Sequence, residues 1–280
     1  MGEVMAFEDV RAGALDYFPC RYGASKLVFR GPRQDLNTPY CAFLGGTETY
    51  GRFVPRAFPM LIQDRGGVAT VNLGCVNGGL DVFVNDTTVM EICGRARVSV
   101  VQVLGAHTLS NRFYSVHPRR NDRFLRASSL MKTIFREVDF TAFSFTRHML
   151  TELRDIAPDK FEMVEEELQA AWQARMRSLL DRIGGPVVLL WLADHPLDEA
   201  RAVPDRLRAD PVLVNKRMVE QLCDDRVQLV EVVPSAEARS RGTLGMVYQP
   251  LEAPMAAELP GPAIHREVAH RLSETVAGFF

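Results

Sequence analysis

Short apolar runs, three of which end in glycine, constrain the fold of this chain more than any other feature. Three of these runs, YCAFLG from Tyr40, VATVNLG from Val68 and VSVVQVLG from Val98, follow one another closely. Two more, VVLLWLA from Val187 and VQLVEVV from Val227, come after a long helical segment. Consecutive apolar strands joined by helical crossovers predict a parallel sheet that is covered on both faces.

The segments between these runs have helical periodicity. Apolar residues recur at three- and four-residue steps from Asp159 to Ile183, and two glycines and a proline then terminate this helix. Shorter helices are predicted at 53–63, 89–96, about 214–222 and about 263–276. We therefore predict an α/β fold: a three-layer α/β/α sandwich with a five-stranded, mostly parallel, flavodoxin-like sheet.

The sequence divides the chain into an N-terminal arm and one domain that contains an insertion. Residues 1–38, rich in Arg, Gly and Pro, predict an N-terminal arm of irregular structure around one short strand. Residues 39–280 predict a single α/β domain, and 280 residues with 47% hydrophobic side chains can form a full core. A polar and aromatic insertion after the third strand, about 107–150, has no sustained period and predicts a long lid or binding loop.

Composition excludes several classes of function. A formal net charge of -2 gives no reason to expect nucleic acid, and five scattered cysteines without a CxxC pair indicate neither disulfides nor structural zinc. No P-loop or GxGxxG motif indicates a nucleotide cofactor. The N-terminus lacks an apolar signal segment, and the longest apolar run, 186–193, is too short to cross a bilayer. We expect a cytoplasmic protein without metal, cofactor or membrane partner, and the oligomeric state stays open.

Thr47 is the first candidate for chemistry. It follows Gly45 and Gly46 where the first strand ends and a helix begins, which places it at the carboxyl edge of the sheet, where open α/β folds bind ligands. A hydroxyl there can be a nucleophile if a base is near, or it can cap the helix. Glu48 beside it either interacts with the helix dipole or contacts substrate.

The order of the turn motifs resembles that of the SGNH or GDSL hydrolases and the acyltransferases related to them. The corresponding stretches are GGT at 45–47, NLGCVNGG at 72–79, GAHTLSN at 105–111 and PAIHREVAHRL around His265. Over most of its length the chain also resembles a group of uncharacterised alphaproteobacterial proteins, a likeness that implies no activity.

The SGNH resemblance implies roles for individual residues. Thr47 stands at the position of the nucleophilic serine, although Gly46 replaces the usual aspartate, and His265 stands at the position of the catalytic base. The turns after the second and third strands would then stabilise an oxyanion through three groups: Gly74, Gly78 and Asn111.

Two other histidines compete for a functional role. His195 follows the fourth strand at the same edge of the sheet and is the alternative base. We expect Asp194 to point away from it, as neighbours on an extended chain do. His107, which replaces the asparagine of the SGNH pattern, is expected to contact substrate. The aspartate three residues before the base is replaced by Pro262.

Arginines crowd the insertion. Because guanidinium groups bind carboxylate, sulfate and phosphate with two parallel hydrogen bonds, Arg112, Arg119 and Arg120 are candidates for contact with an anionic substrate. Pairing with the nearby carboxylates of Asp122, Glu137 and Asp139 on a solvated loop is the other interpretation, and both stay open.

These observations predict an SGNH-like ester hydrolase or O-acyltransferase that acts on a polar small molecule or glycan, with an anionic substrate as one option. Transfer of a sulfuryl or phosphoryl group is an alternative, with the arginines holding the donor. A catalytically inactive SGNH-like module that binds an anionic ligand or a partner is the second alternative.

Overall fold

A parallel sheet forms the centre of the protein, whose computed structural model describes residues 15–280. The strands are β1 (Tyr40–Leu44), β2 (Ala69–Asn72), β3 (Val98–Gln102), β4 (Tyr114–His117), β5 (Arg120–Ala127), β6 (Val187–Leu192) and β7 (Val227–Val232). Five of them form one sheet in the order β2-β1-β3-β6-β7, with every neighbouring pair parallel. In chain order, β2 is added on one side of β1 and the later strands are added on the other side, so the switch point of the sheet lies between β1 and β3. This strand order confirms the flavodoxin-like prediction.

Helices connect the strands and cover both faces of the sheet. They are α1 (Thr47–Tyr50), α2 (Phe58–Gly66), α3 (Leu80–Val84), α4 (Thr87–Arg95), α5 (Ser129–Ile134), α6 (Thr146–Ile156), α7 (Pro158–Ile183), α8 (Lys216–Glu220), α9 (Ala236–Ser240), α10 (Ala253–Ala257) and α11 (Pro262–Ala277). Single turns of 3-10 helix occur at Phe140–Ala142, Leu197–Glu199 and Pro250–Glu252. Between residues 15 and 280, no helix has both the length and the apolar character required to cross a bilayer.

The alternation of side chains along each strand produces two cores. In β1, Tyr40 and Ala42 lie in the larger core with α3, α4 and α7, whereas Cys41 and Phe43 lie in the smaller core with α2 and α11. Since successive residues of a strand point to opposite faces, a strand that is buried along its whole length must be apolar on both sides. The three-layer prediction is therefore confirmed.

Two predicted elements differ in the structure. The helix predicted from residue 53 begins at Phe58, because Gly51 and Phe53 adopt positive φ angles of 74° and 66° in a turn that a helix cannot contain. The insertion is not a structureless loop: β4 and β5 pair as an antiparallel hairpin, and α5 and α6 follow it. Register shifts on both sides of Val116 interrupt the hairpin, and they explain why the sequence shows no period of two.

The described part of the N-terminal arm packs on the domain. Tyr22, Leu27 and Phe29 lie in the larger core, and a single bridge joins Cys20 to Phe29. The first fourteen residues of the predicted arm lie outside the described part of the chain.

Candidate active site at the carboxyl edge of the sheet

A cavity of about 590 Å³ opens at the carboxyl ends of the strands. Its wall takes residues that follow all five strands of the sheet: Thr47, Asn77, Leu104, Ala193 and Pro234. The insertion adds His107, Thr108, Asp122 and Arg147, and loops near residues 208–211 and 257–261 complete the wall. A more open groove of about 910 Å³ lies along β7, α9 and α11, and none of the predicted site residues lines it. The smaller cavity lies at the switch point of the sheet, where this class of fold binds ligands.

Thr47 lies in the cavity wall with Asn77 as its neighbour. The Asn77 backbone N–H donates to Thr47 Oγ1 at 3.0 Å, and the side-chain oxygen of Asn77 lies 3.4 Å from the same hydroxyl. Asn77 has a φ of 57°, a left-handed conformation that asparagine tolerates better than most residues. The turn after β2 therefore presents a backbone N–H donor and a side-chain oxygen acceptor to the hydroxyl at the end of β1.

The side-chain amide of Gln102 binds Glu48, and the other hydrogen bonds of this amide fix the positions of its oxygen and its nitrogen. Gln102 Oε1 accepts from the Gly46 N–H at 3.1 Å and from Thr49 Oγ1 at 2.7 Å, so the NH₂ group of Gln102 must point the other way. It donates to Glu48 Oε2 at 2.9 Å. Burial raises the pKa of Glu48, and the hydrogen bond from Gln102 opposes this shift, although the residue keeps some exposure to the cavity. A carboxyl group with a raised pKa can exchange a proton at a pH nearer to neutrality than an ordinary carboxyl group can.

The structure does not bring His265 to the cavity. The residue is 2% exposed, and its ring stacks on Phe58 with a centroid distance of 5.7 Å. The Phe58 N–H donates to His265 Nδ1 at 3.1 Å, so the ring proton lies on Nε2, next to the Pro260 carbonyl. Burial lowers the pKa of His265 to about 3. Ile264, one residue earlier, lines the cavity, but the imidazole itself joins α11 to α2.

His195, the alternative base, also lies outside the cavity wall. Its ring packs edge-on against Trp191, and its backbone carbonyl accepts from the Trp191 indole N–H at 3.0 Å. The expectation that Asp194 points away is wrong: the chain bends after β6, and Asp194 Oδ1 lies 2.7 Å from His195 Nδ1. Asp194 itself lines the cavity.

The three groups suggested for the oxyanion already have partners. The Gly74 N–H donates to Asn72 Oδ1 at 2.9 Å, and the Gly78 N–H donates to the Cys75 carbonyl at 2.9 Å. Asn111 caps its own turn, since Oδ1 accepts from two backbone N–H groups and Nδ2 donates to the Leu109 carbonyl. Of these residues only Gly78 lines the cavity.

His107 is a buried polar residue of the cavity wall, and Asp122 is a half-buried one. His107 is 6% exposed, and burial, with a further contribution from the charge of Arg147, lowers its pKa to about 4. Its Nδ1 atom has no hydrogen-bond partner among the described residues. The same is true, within residues 15–280, of Asp122 Oδ1, and burial raises the pKa of that carboxyl group.

The arginines singled out in the insertion lie elsewhere. Arg112 pairs with Glu167 of α7 at 2.8 Å, and Arg119 lines a separate surface groove near α4. Arg120 is exposed and is absent from the cavity wall. A different arginine of the insertion, Arg147, reaches the cavity and binds Asp210 through two contacts of 2.7 and 2.9 Å.

Sequence reasoning missed four residues of this site: Asn77, Gln102, Asp122 and Arg147. Two of them had a signal, because an amide inside the apolar run VSVVQVLG must find buried partners, and an asparagine before two glycines is typical of a left-handed turn. Asp122 and Arg147 had none, since only the folded insertion brings them to the sheet.

Comparisons with known proteins give a family and a structural neighbour. A family model described as "Domain of unknown function (DUF6473)" matches residues 5–280. No curated protein matches the sequence. Among solved structures, the crystal structure of the lipase Lip_vut3 from a goat rumen metagenome is similar with a TM-score of 0.47 and 14% identity, over 86% of this chain and 98% of that chain.

Proposed function

We propose that this chain, which belongs to the DUF6473 family, is an ester hydrolase or O-acyltransferase that acts on a polar substrate in the cavity at the carboxyl edge of the sheet. One observation carries the proposal: the Thr47 hydroxyl, the Glu48 carboxyl group and the Asn77 amide line the same cavity. A nucleophile, a proton acceptor and a hydrogen-bond donor are the three groups that acyl transfer needs.

In this mechanism Thr47 Oγ1 attacks the carbonyl carbon of the bound ester. Its proton passes to the Glu48 carboxylate, directly or through one water molecule, and the carbonyl oxygen becomes an oxyanion that accepts from the side-chain NH₂ group of Asn77. The bond to the leaving oxygen then breaks, and that oxygen takes the proton from Glu48. Water or an acceptor hydroxyl then attacks the acyl-threonine and gives its proton to Glu48. The bond between the acyl carbon and Thr47 Oγ1 breaks, and Oγ1 takes the proton from Glu48, which restores both groups.

Glu48 suits this role better than either buried histidine. Its pKa is raised from the ordinary carboxyl value, whereas the pKa values of His107 and His265 are lowered to about 4 and about 3. Proton transfer is most efficient when the pKa of the catalytic group is near the working pH. In addition, the acceptor nitrogen of His265 is occupied by the Phe58 N–H.

Charge in the cavity supports ester chemistry over transfer of a sulfuryl or phosphoryl group. That alternative needs free guanidinium groups to hold an anionic donor. Arg112, Arg119 and Arg120, however, lie outside the wall. Three arginines line it: Arg147 is paired with Asp210, Arg208 lies 3.6 Å from Asp205, and Arg239 donates to the Asp194 carbonyl. An uncharged ester makes no such demand.

Two substitutions at one position test the proposal. Thr47→Val keeps the shape of the side chain and removes the hydroxyl, and it should lower kcat for a 4-nitrophenyl ester by at least about 100-fold. Thr47→Ser should be as active as the wild type or more so, because the hydroxyl remains and the branched methyl no longer restricts χ1. Release of 4-nitrophenol measures both rates.

Thr108→Val is the matched control. This threonine lines the same cavity, but its hydroxyl donates to the Gly105 carbonyl at 3.1 Å and has no part in the mechanism. Its loss should change kcat less than about fivefold, since one neutral hydrogen bond contributes about 1 kcal/mol. Equal rates in the wild type and Thr47→Val, or an inactive Thr47→Ser, would exclude Thr47 as the nucleophile. No turnover in the wild type would favour a module that binds without catalysis.

A further inference from the structure

The segment that connects α1 to α2, residues 51–57, contains two left-handed backbone conformations. Gly51 and Phe53 both have positive φ angles, and a bulky residue such as Phe53 is strained in this region. A Cβ atom on Gly51 would clash with the Ala57 side chain, so only glycine fits at this point of the turn. Strained conformations persist only where the surrounding structure holds them, and they are frequent at functional sites. Contacts from outside the segment must therefore hold it.

Arg30 of the N-terminal arm provides three of these contacts. Its side chain is 4% exposed and forms no ion pair with a carboxylate of residues 15–280. Nη1 donates to the Gly51 carbonyl at 2.6 Å and to the Tyr50 carbonyl at 3.2 Å. Nη2 donates to the Pro55 carbonyl at 2.7 Å. Carbonyl groups at the end of a helix carry partial negative charge, and here they compensate the burial of the guanidinium group.

Tyr17, also from the arm, holds the strained residue itself. Its hydroxyl oxygen accepts from the Phe53 N–H at 2.9 Å. The Tyr17 ring packs against the Tyr50 ring with a centroid distance of 5.2 Å, and the Arg30 guanidinium lies 5.3 Å from the centre of the Tyr17 ring. The two arm side chains therefore form one unit, which binds three carbonyl groups and one N–H group between residues 50 and 55.

This unit is connected to Thr47 through the backbone. The Thr47 carbonyl accepts from the Gly51 N–H at 3.0 Å, and the Gly51 carbonyl accepts from Arg30, so two successive hydrogen bonds join the guanidinium to the proposed nucleophile. On its other side, α1 packs tightly against the turn after β2, because a Cβ atom at Gly74 would clash with the Tyr50 backbone. A misplacement of a reacting group by about 1 Å can lower the rate about 100-fold.

We propose that Arg30 and Tyr17 are positioning residues for the Thr47 hydroxyl, which makes the arm a working part of the active site. None of residues 15–38 lines the cavity, so the two side chains act through α1 and do not touch the substrate. The inference rests on the proposed function only for its effect on the rate. The position of the hydroxyl can be measured without any turnover.

The first experiment follows the backbone amide signal of Asn77, which donates to Thr47 Oγ1, in isotope-labelled protein. Arg30→Lys keeps the positive charge, but an ammonium group cannot join the carbonyls that the guanidinium fork joins. The Asn77 signal should therefore shift, whereas the signal of Leu189, inside β6, should stay in place and show that the sheet is intact. Arg33→Lys, at an exposed arginine of the same arm, is the matched control and should move neither signal.

If Arg30→Lys does not fold, Tyr17→Phe takes its place. This variant keeps the ring and removes only the oxygen that accepts from the Phe53 N–H, so the Asn77 signal should again shift, by a smaller amount. An Asn77 signal that stays in place in the folded variant overturns the proposal.

The second experiment measures cleavage of a 4-nitrophenyl ester. In Arg30→Lys, kcat should fall by about 10- to 100-fold while KM changes by less than about threefold, because the hydroxyl is displaced and the cavity wall is not. Arg33→Lys should keep both constants within about twofold of the wild type. An unchanged kcat in Arg30→Lys, or a loss that lies only in KM, overturns the proposal. If the wild type cleaves no ester, the proposed function fails, and the Asn77 signal still decides whether the arm positions the hydroxyl.

Discussion

Replacement of His265 by glutamine should change how the stability of the protein depends on pH. In the folded protein the ring is enclosed between α2 and α11, and its pKa is lowered to about 3 from the ordinary value of 6.5. Glutamine has no titrating group, and its side-chain oxygen can still accept from the Phe58 N–H. The perturbation therefore removes one buried proton-binding site and keeps much of the hydrogen bonding.

The sign follows from which state binds the proton. Below pH 6.5 an unfolded chain protonates this histidine, whereas the folded protein keeps it neutral until about pH 3. The contribution of the neutral His265 ring to the free energy of unfolding is thus fully present above pH 6.5. As the pH falls below this value, the contribution decreases by up to about 1.4 kcal/mol per pH unit. By pH 4.5 the wild type should have lost about 2–3 kcal/mol through His265. His107, with a pKa of about 4, adds a similar loss that the variant retains.

Urea unfolding at several pH values from 7.5 to 4.5, followed by tryptophan fluorescence, measures the effect. At pH 7.5 His265→Gln should be less stable than the wild type by about 1–3 kcal/mol, because the stacking on Phe58 is lost. The difference in free energy of unfolding between the wild type and His265→Gln should become smaller by about 2–3 kcal/mol at pH 4.5. His270→Gln, an exposed position on the same helix, is the control and should follow the wild type. A gap for His265→Gln that stays constant with pH would refute the buried, neutral state of this ring.

Two further predictions concern the carboxyl edge. Gln102→Met removes the hydrogen bond that stabilises ionised Glu48, so the Glu48 pKa should rise. The acidic limb of the pH–rate profile of ester cleavage should then move to higher pH. An unshifted limb would contradict this role of Gln102. Gly74→Ala would place a Cβ atom 2.3 Å from the Tyr50 backbone nitrogen and should destabilise the protein by about 1–3 kcal/mol in thermal unfolding. Gly66→Ala, where the nearest atom is 3.9 Å away, should be neutral or slightly stabilising, and an equal loss in the two variants would argue against this packing.

Most of the sheet could be predicted because its signals are local. The first three apolar runs end at Gly45, Gly74 and Gly105, and the fourth is followed by Asp194. The periodicity of the long helix predicted α7 to within one residue of its start. The position of the cavity follows from the same pattern, since the ends of parallel strands meet at one edge. The hairpin of the insertion could not be predicted, because the register shifts around Val116 hide its alternation.

The catalytic groups were harder to predict because side-chain direction depends on tertiary packing. In α11, Ile264 lines the cavity and His265 faces α2, and one residue on a helix corresponds to a rotation of about 100°. Sequence spacing alone does not choose between these two directions. Likewise, Asp122 and Arg147 are 25 positions apart, and they meet the sheet only because the hairpin and α6 fold against it.

The most direct test of the central claim is to locate the covalent bond that an acyl-enzyme mechanism requires. The protein is treated with a fluorophosphonate, digested and analysed by mass spectrometry. The account predicts one adduct, on the peptide that contains Thr47, which is retained in Thr47→Ser and absent in Thr47→Val. An adduct on a different residue, or no adduct on an active enzyme, would contradict it.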